Sequence, residues 1–346
     1  MRATIMRHGK LVVDEVPDPT PAPGQLLARV LACGICGSDL HALAHGPRMV
    51  EMTKLAANDP TNPMTAEIMD LDRDIVMGHE FCCEILEIGD NVGNGSVGDI
   101  VVSMPILFAP TGLHPIGYSN VAVGGYSELM LLSDILTMKV PDGLDPDLAA
   151  LTEPMAVGLH AVRSSKWSAG RSAVVLGCGP VGLAVIAALR LEGATTIVAA
   201  DFSPSRRQLA ATMGATEVID PRSESAMEAW QRVDGRSPVV MFECVGVPQM
   251  LDDAILAAPR RSQIVVVGVC MEADEIRPMV AVTKELNLQF VLGYEPAEFQ
   301  ETLQRIGSGA LDVSPLITGR VGLDGVAGAF VELGDPEGHA KILVTP

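Results

Sequence analysis

Val174-Val175-Leu176-Gly177-Cys178-Gly179-Pro180-Val181-Gly182 is the stretch that decides the fold. A short apolar strand runs into a glycine turn, and the turn opens an apolar helix. Gly177 and Gly179 allow a tight turn with close backbone approach, and Gly182 allows close packing of helix on strand. Pro180 and Val181 begin a helix whose N-terminus faces the pyrophosphate of a dinucleotide. Asp201 follows at the end of the next strand, the usual offset for a carboxylate that grips the adenine ribose hydroxyls. Its charge repels a 2′-phosphate, so NAD is expected over NADP. Arg206 and Arg207 stand close behind and pull the other way, since either can meet a phosphate. The plainer alternative is a structural glycine turn with a helix-capping Asp201.

Working outward from the turn, apolar strands and helices alternate. They run through Val174–Leu176, 180–191, 197–200, 204–213, 218–219, 239–244, 249–257, 264–269 and 288–292. Continuous apolar strands separated by helices imply a doubly wound parallel sheet covered on both faces, hence an α/β chain. Upstream of the turn, 147–163 reads as one helix. From Arg2 to about Val140 the pattern is different: short β-rich runs at 25–30, 82–88, 99–103 and 126–132, punctuated by turn residues, as in an antiparallel barrel-like domain. The tail from Leu311 returns to short mixed elements. It ends in Ala340-Lys341-Ile342-Leu343-Val344, a stretch able to add a strand to the first domain.

The β-rich part carries a second chemical signal, Cys33-Gly34-Ile35-Cys36-Gly37-Ser38-Asp39-Leu40-His41, with Gly78-His79-Glu80 far downstream. A thiolate, an imidazole and a carboxylate are the mixed donor set of a catalytic zinc with one open position. Cys36 and His79 are too far apart in sequence for a zinc-finger knuckle, so the fold must assemble them. Glu80 and Glu153 are the carboxylates on offer, and Asp39 suits the far nitrogen of His79. The rival reading takes Cys33 and Cys36 as a redox dithiol. That reading wants a helix start in a thioredoxin-like βαβ unit, whereas here the pair precedes any parallel-sheet pattern.

Composition narrows the partners. The 346 residues suffice for about two domains, and 48% hydrophobic content excludes general disorder. A net charge of -19 argues against nucleic acid and against anionic membranes. Seven cysteines, an odd number, do not make a secreted disulfide framework, and the N-terminal residues lack the apolar core of a signal peptide. The cytoplasm is the expected compartment. Ser172 to Leu189 is uncharged over 18 residues, but its glycines and proline cut it into strand, turn and helix rather than a membrane span. The segment 42–75 fits no barrel pattern. Met49, Met52, Met64 and Met69, two Asx-Pro breaks and an acidic helical stretch at 65–74 suggest an apolar wall over a substrate cleft. Surface decoration or a subunit contact would look similar.

Taken together, these motifs resemble the zinc-dependent medium-chain dehydrogenase/reductase family, the alcohol, sorbitol and threonine dehydrogenases. The resemblance extends to Glu153-Pro154 with Ala156-Val157-Gly158-Leu159-His160, to Phe242-Glu243-Cys244-Val245-Gly246 and to His339–Val344. It implies a GroES-like catalytic domain (1–150 and 294–346) interrupted by a Rossmann domain (151–293). It also implies one catalytic zinc per chain on Cys36 and His79 with Glu80, Glu153 or water, and a proton relay through Ser38 and His41. Val245, Gly268 and Val269 join the turn residues, Asp201 and Arg206 as cofactor-binding candidates, while Cys33 is no ligand. Glu153 matches the polyol-type branch, which points to secondary alcohols or diols, oxidised to ketone or aldehyde in a homodimer or homotetramer. A metal-free quinone or enoyl reductase of the same fold and a non-catalytic NAD-binding sensor are the alternatives. The chain departs from the family in three places. Cys83 stands where the signature has glycine, no cysteine lies between Asn91 and Gly125 to hold a structural zinc, and the stretch from Cys36 to His79 is long.

Overall fold

The computed structural model describes residues 1–57, 67–236 and 238–346. Its centre is a six-stranded, all-parallel sheet. In spatial order the strands are Glu217–Ile219, Ile197–Ala200, Ala173–Leu176, Val240–Glu243, Gln263–Val266 and Asn287–Phe290. Side chains alternate between its two faces. Val175, Ala199, Phe242 and Val265 pack into one core, and Val174, Val198, Met241 and Ile264 into another. Burial on both faces is why these strands read as unbroken apolar runs. The strand order reverses at Ala173–Leu176, so a crevice opens at the carboxyl ends of that strand and Val240–Glu243.

Most of the expected helices form, including Pro180–Leu191 and Pro204–Met213. One was overlooked. Ala226–Val233 is a helix with a capping box, Ser225 Oγ accepting from Glu228 N while Glu228 Oε2 accepts from Ser225 N. The Ser-x-x-Glu spacing was its signal. The single helix expected at 147–163 is instead two, Pro146–Ala150 and Thr152–Arg163. The break falls at buried Leu151 because Pro154 has no N–H to offer the Ala150 carbonyl.

The β-rich part is built on a seven-stranded sheet. Its path runs Thr137–Lys139, Ile100–Ser103, Glu80–Ile88, Gln25–Gly34, Lys341–Val344 and Ile317–Val321, and Leu129–Ser133 also pairs with Gln25–Gly34. The C-terminal strand thus lies beside Gln25–Gly34, with Leu343 opposite Gly34 and Val344 opposite Cys33. Arg2–Arg7, Lys10–Glu15 and Ile75–Val76 form a smaller sheet. Cys83, at the family's glycine position, does not crowd the candidate metal site. Its fully buried side chain points into the apolar core, with Sγ 3.6 Å from Met130 Sδ.

Gly37–Ala56 is a 20-residue helix that takes up much of the long segment. It kinks at His45, whose φ of -130° leaves the helical region, because Pro47 cannot donate to the Leu43 carbonyl. The helix expected at 65–74 does not form over Glu67–Asp74. Turn chemistry wins there: Asp70 Oδ1 accepts from Asp72 N, and Asp70 N donates to Asn120 Oδ1. Thr65, Ala66 and Met64 lie outside the described residues.

Candidate active site

The strand Gln25–Gly34 delivers Cys36 to the N-cap of the helix Gly37–Ala56, and His79 immediately precedes the strand Glu80–Ile88, which Glu80 opens beside it. Pairing of Gly34 with Glu80 closes the gap between the two motifs. One ligand atom each from Cys36, His79 and Glu80 lies within 4.8 Å of the others. A side chain at Gly34 would put its Cβ 2.0 Å from Glu80 Oε2, so glycine there makes room for the carboxylate.

Asp39, fully buried, is the hub of the cluster. Its Oδ2 accepts from Tyr126 Oη at 2.6 Å and from the Cys36 amide at 3.0 Å, and its Oδ1 accepts from Tyr118 Oη at 3.1 Å. His79 Nδ1 faces Asp39 Oδ1 at 3.4 Å and makes no hydrogen bond. Burial alone would raise the Asp39 carboxyl, but His79 and the two donors override it and hold it below the usual range. Burial likewise opposes a charged His79, and the neighbouring Asp39 and Cys36 push it well above the ordinary value. A buried imidazole drawn positive among a thiol and carboxylates occupies the field that a divalent cation would neutralise. The donor set therefore fits zinc.

Two carboxylates compete for the remaining place. Glu80 belongs to the cluster, yet Lys341 Nζ donates to its Oε1 at 2.7 Å and Oε2 at 2.6 Å, and to the Ile35 carbonyl at 3.0 Å. Lys341 was not foreseen as a site residue, although a lysine inside an apolar strand was its signal. Glu153 stands outside the three-residue group but feels its charges. Burial, with the Glu80 charge adding, pushes its carboxyl up to about 7.

Ser38 Oγ accepts from Tyr118 Oη at 2.8 Å. His41 sits one turn further along the helix, half-buried, its imidazole held below the ordinary value by burial and then by His45. No motif marks Tyr118 or Tyr126 as a site residue: Tyr118 stands in loop sequence and Tyr126 opens the β-rich run 126–132. Cys33 is fully buried, and burial pushes its thiol well above the ordinary value. That is the wrong setting for a redox dithiol, which needs an accessible thiolate.

The dinucleotide candidates gather at the carboxyl end of the parallel sheet. Gly179 caps the helix Pro180–Leu191, and a Cβ on Gly182 would lie 1.9 Å from the Gly177 carbonyl oxygen. Asp201 Oδ2 accepts from Cys178 N and Oδ1 from Ser203 N, both at 2.8 Å. Arg207 is committed to the Asp201 and Phe202 carbonyls, whereas Arg206 Nε is buried without a partner. Val245, Gly268 and Val269 lie on the loops after the next two strands, and Glu243 Oε1 braces the first loop by accepting from Val245 N and Gly246 N. Across from them, Arg48 Nε on the long helix donates to the Met271 carbonyl at 2.9 Å.

Known proteins resemble this chain over nearly its whole length. The alcohol dehydrogenase GroES-like domain family matches residues 22–142, and the zinc-binding dehydrogenase family matches residues 180–308. The (R,R)-butanediol dehydrogenase of Bacillus subtilis (strain 168) is 36% identical over 344 residues, covering 96% of each chain. Sorbitol dehydrogenase of Bos taurus is 28% identical over 93% of this chain and 89% of its own. The crystal structure of 2R,3R-butanediol dehydrogenase from Bacillus subtilis superposes with a TM-score of 0.85 at 33% identity, covering 100% of this chain and 99% of that one.

Proposed function

The chain belongs to the zinc-dependent medium-chain dehydrogenase/reductase family and is an alcohol dehydrogenase of that type, and from there we propose that it oxidises vicinal diols, or reduces the matching hydroxyketones, with NAD. The observation that carries the site assignment is the convergence of Cys36, His79 and Glu80, one ligand atom of each within 4.8 Å of the others. The diol reading draws on the similarity to butanediol dehydrogenases and on Glu153, an acidic residue beside the cluster.

Zinc and a nicotinamide dinucleotide, when bound, supply a Lewis acid for the alcohol oxygen and an acceptor for hydride. One zinc per chain would be held by Cys36 and His79, with Glu80 or Glu153 as the exchangeable carboxylate. Asp39, 3.4 Å from His79 Nδ1, would orient the imidazole through its charge. Ser38 takes the alcohol proton and His41 passes it outward. Gly177, Gly179, Pro180, Val181 and Gly182 would seat the pyrophosphate, Val245, Gly268 and Val269 would line the nicotinamide side, and Asp201 would take the adenine ribose. We assign 1–150 with 294–346 to the catalytic domain and 151–293 to the dinucleotide domain.

NAD would be preferred because the Asp201 carboxylate would repel a 2′-phosphate, while Arg207 is already committed to backbone carbonyls. Free cysteines throughout suit a cytoplasmic protein, and no helix is long and apolar enough to cross a membrane among the described residues. A homo-oligomer is supported by the open sheet edge Asn287–Phe290, where Met279, Val282, Phe290 and Leu292 are exposed. The deciding experiment gives zinc-replete protein a panel of vicinal diols, polyols and simple secondary alcohols with NAD or NADP. Vicinal diols with NAD should give the highest kcat/KM; a preference for simple alcohols, or for NADP, overturns the reading.

A further inference from the structure

Tyr118 occupies a place that neither motif announces. Its hydroxyl lies 2.8 Å from Ser38 Oγ and 3.1 Å from Asp39 Oδ1, and its ring centroid is 5.2 Å from that of His79. One tyrosine thus touches the group proposed to take the alcohol proton, the carboxylate that faces His79, and His79 itself. A serine hydroxyl rotates freely unless a partner fixes it. Tyr118 has a single hydroxyl proton to share between Asp39 Oδ1 and Ser38 Oγ, and its hydrogen bond with Ser38 limits where the serine's proton and free lone pairs point.

Tyr118 lies on the irregular stretch that follows the strand Gly112–Pro115, so something other than a ladder must hold it. The holding group is Glu67. Its Oε2 accepts from the Ser119 hydroxyl and meets His114 Nδ1 at 2.6 Å, while its Oε1 accepts from the Asn120 amide at 3.1 Å. His114 is braced in turn by Thr111 Oγ1 at 2.7 Å from Nε2. Asn120 Nδ2 donates to the Asp70 and Asp74 carbonyls at 3.0 and 3.3 Å. Ser119 and His114 are both buried, so water does not compete freely for these bonds. The residues next to Tyr118 are therefore clamped by the segment 67–74, which returns the chain from the long helix to the strand Ile75–Val76.

We propose that Tyr118 is a positioning residue for alcohol oxidation, fixing the Ser38 hydroxyl against Asp39, and that Glu67 sets the place of Tyr118 by clamping Ser119, Asn120 and His114. The proposal rests on the reading in which Ser38 takes the alcohol proton, and the controls separate the two. In zinc-loaded protein oxidising 2,3-butanediol, Tyr118→Phe keeps the ring and should lower kcat about tenfold, the worth of one well-placed hydrogen bond, with KM nearly unchanged. Zinc content should stay at the wild-type value, and Tm should fall by only a few degrees, the cost of one hydrogen bond lost to buried Asp39. Because Tyr118 acts through Ser38, the double variant S38A/Y118F should be no slower than S38A alone, a non-additivity that a merely structural tyrosine would not give. Glu67→Ala should raise amide hydrogen exchange across 116–125 about tenfold and lower kcat as Y118F does, while Y118F leaves exchange unchanged. Should E67A not fold, Ser119→Ala removes one clamp contact and gives the same readout in smaller measure. Wild-type kcat in Y118F, losses that multiply in the double variant, or unchanged exchange in E67A and S119A would overturn the proposal while leaving the diol dehydrogenase reading in place. Wild-type kcat in S38A would remove the relay and this inference with it.

Discussion

The two halves of the molecule build their sites in opposite ways. In the parallel-sheet half, the turn 177–182, Asp201, the 243–246 loop and the 268–269 loop each sit at the end of a strand, and strands adjacent in sequence are largely adjacent in space. Their polar contacts are short-range and mostly to backbone, such as Asp201 to Cys178 N and Glu243 to Val245 N. In the β-rich half, Cys36, His79, Tyr118, Tyr126 and Lys341 come from widely separated parts of the chain and meet through strand pairing. Their contacts are buried, charged and side chain to side chain. A site of the first kind is set by local backbone geometry. A site of the second kind depends on every long-range pairing being correct, and on each buried charge keeping its partner.

That contrast can be broken most sharply at Cys36. Changing it to Ser should abolish zinc binding by elemental analysis and lower kcat at least about 1000-fold, a loss of several kcal/mol of transition-state stabilisation. NADH binding, followed by fluorescence, should persist, because the other half does not need the metal. Loss of dinucleotide binding in this variant would show that the halves are not independent. Next in size is Lys341→Met, which strands the Glu80 carboxylate in a dry site. Urea unfolding should show a loss of about 3–5 kcal/mol, the usual consequence of removing one member of a buried pair. A loss under 1 kcal/mol would mean that water reaches Glu80.

The reverse experiment tests the backbone-built half. Gly182→Ala brings a methyl against the Gly177 carbonyl, which is backbone and has no rotamer to yield. NADH affinity should fall about 100-fold, near 2.7 kcal/mol, with zinc content unchanged. Affinity within about threefold of wild type would show that the turn can open without losing its ligand. The smallest effect is expected at Asp201. Asp201→Gly should narrow the NAD over NADP preference in kcat/KM about tenfold by removing a repelling charge. It also deletes the bonds to Cys178 N and Ser203 N, so a stability loss of about 1 kcal/mol should accompany it. An unchanged preference would mean that Asp201 does not set the selectivity, whereas a wild-type preference for NADP would assign it to Arg206, whose Nε has no partner.

Much of this could be read from the chain alone. The helices Pro180–Leu191 and Pro204–Met213 and the strand Ile197–Ala200 fall at the expected residues, because apolar period, glycine turn and N-terminal proline are local signals. Cys36, His79 and Glu80 were legible because their motifs are short and chemically unusual. The helical break at Leu151 was legible in principle from Pro154, as the helix Ala226–Val233 was from its capping box. What the sequence could not show is which distant side chains complete the donor cluster. Lys341 reads as one more residue of a terminal strand until Leu343 pairs with Gly34 and brings it against Glu80. Tyr118 reads as a loop aromatic and Tyr126 as the first residue of a β-rich run until both hydroxyls reach Asp39, and Glu67 reads as part of an acidic helix until it closes on His114 and Asn120. Local backbone preference is written into neighbouring residues, so the sequence determined the parallel-sheet half and the identity of the candidate ligands. The partners of a buried charge are chosen by burial itself, which exists only once the strands have paired, so the tertiary structure alone decided how that charge is held.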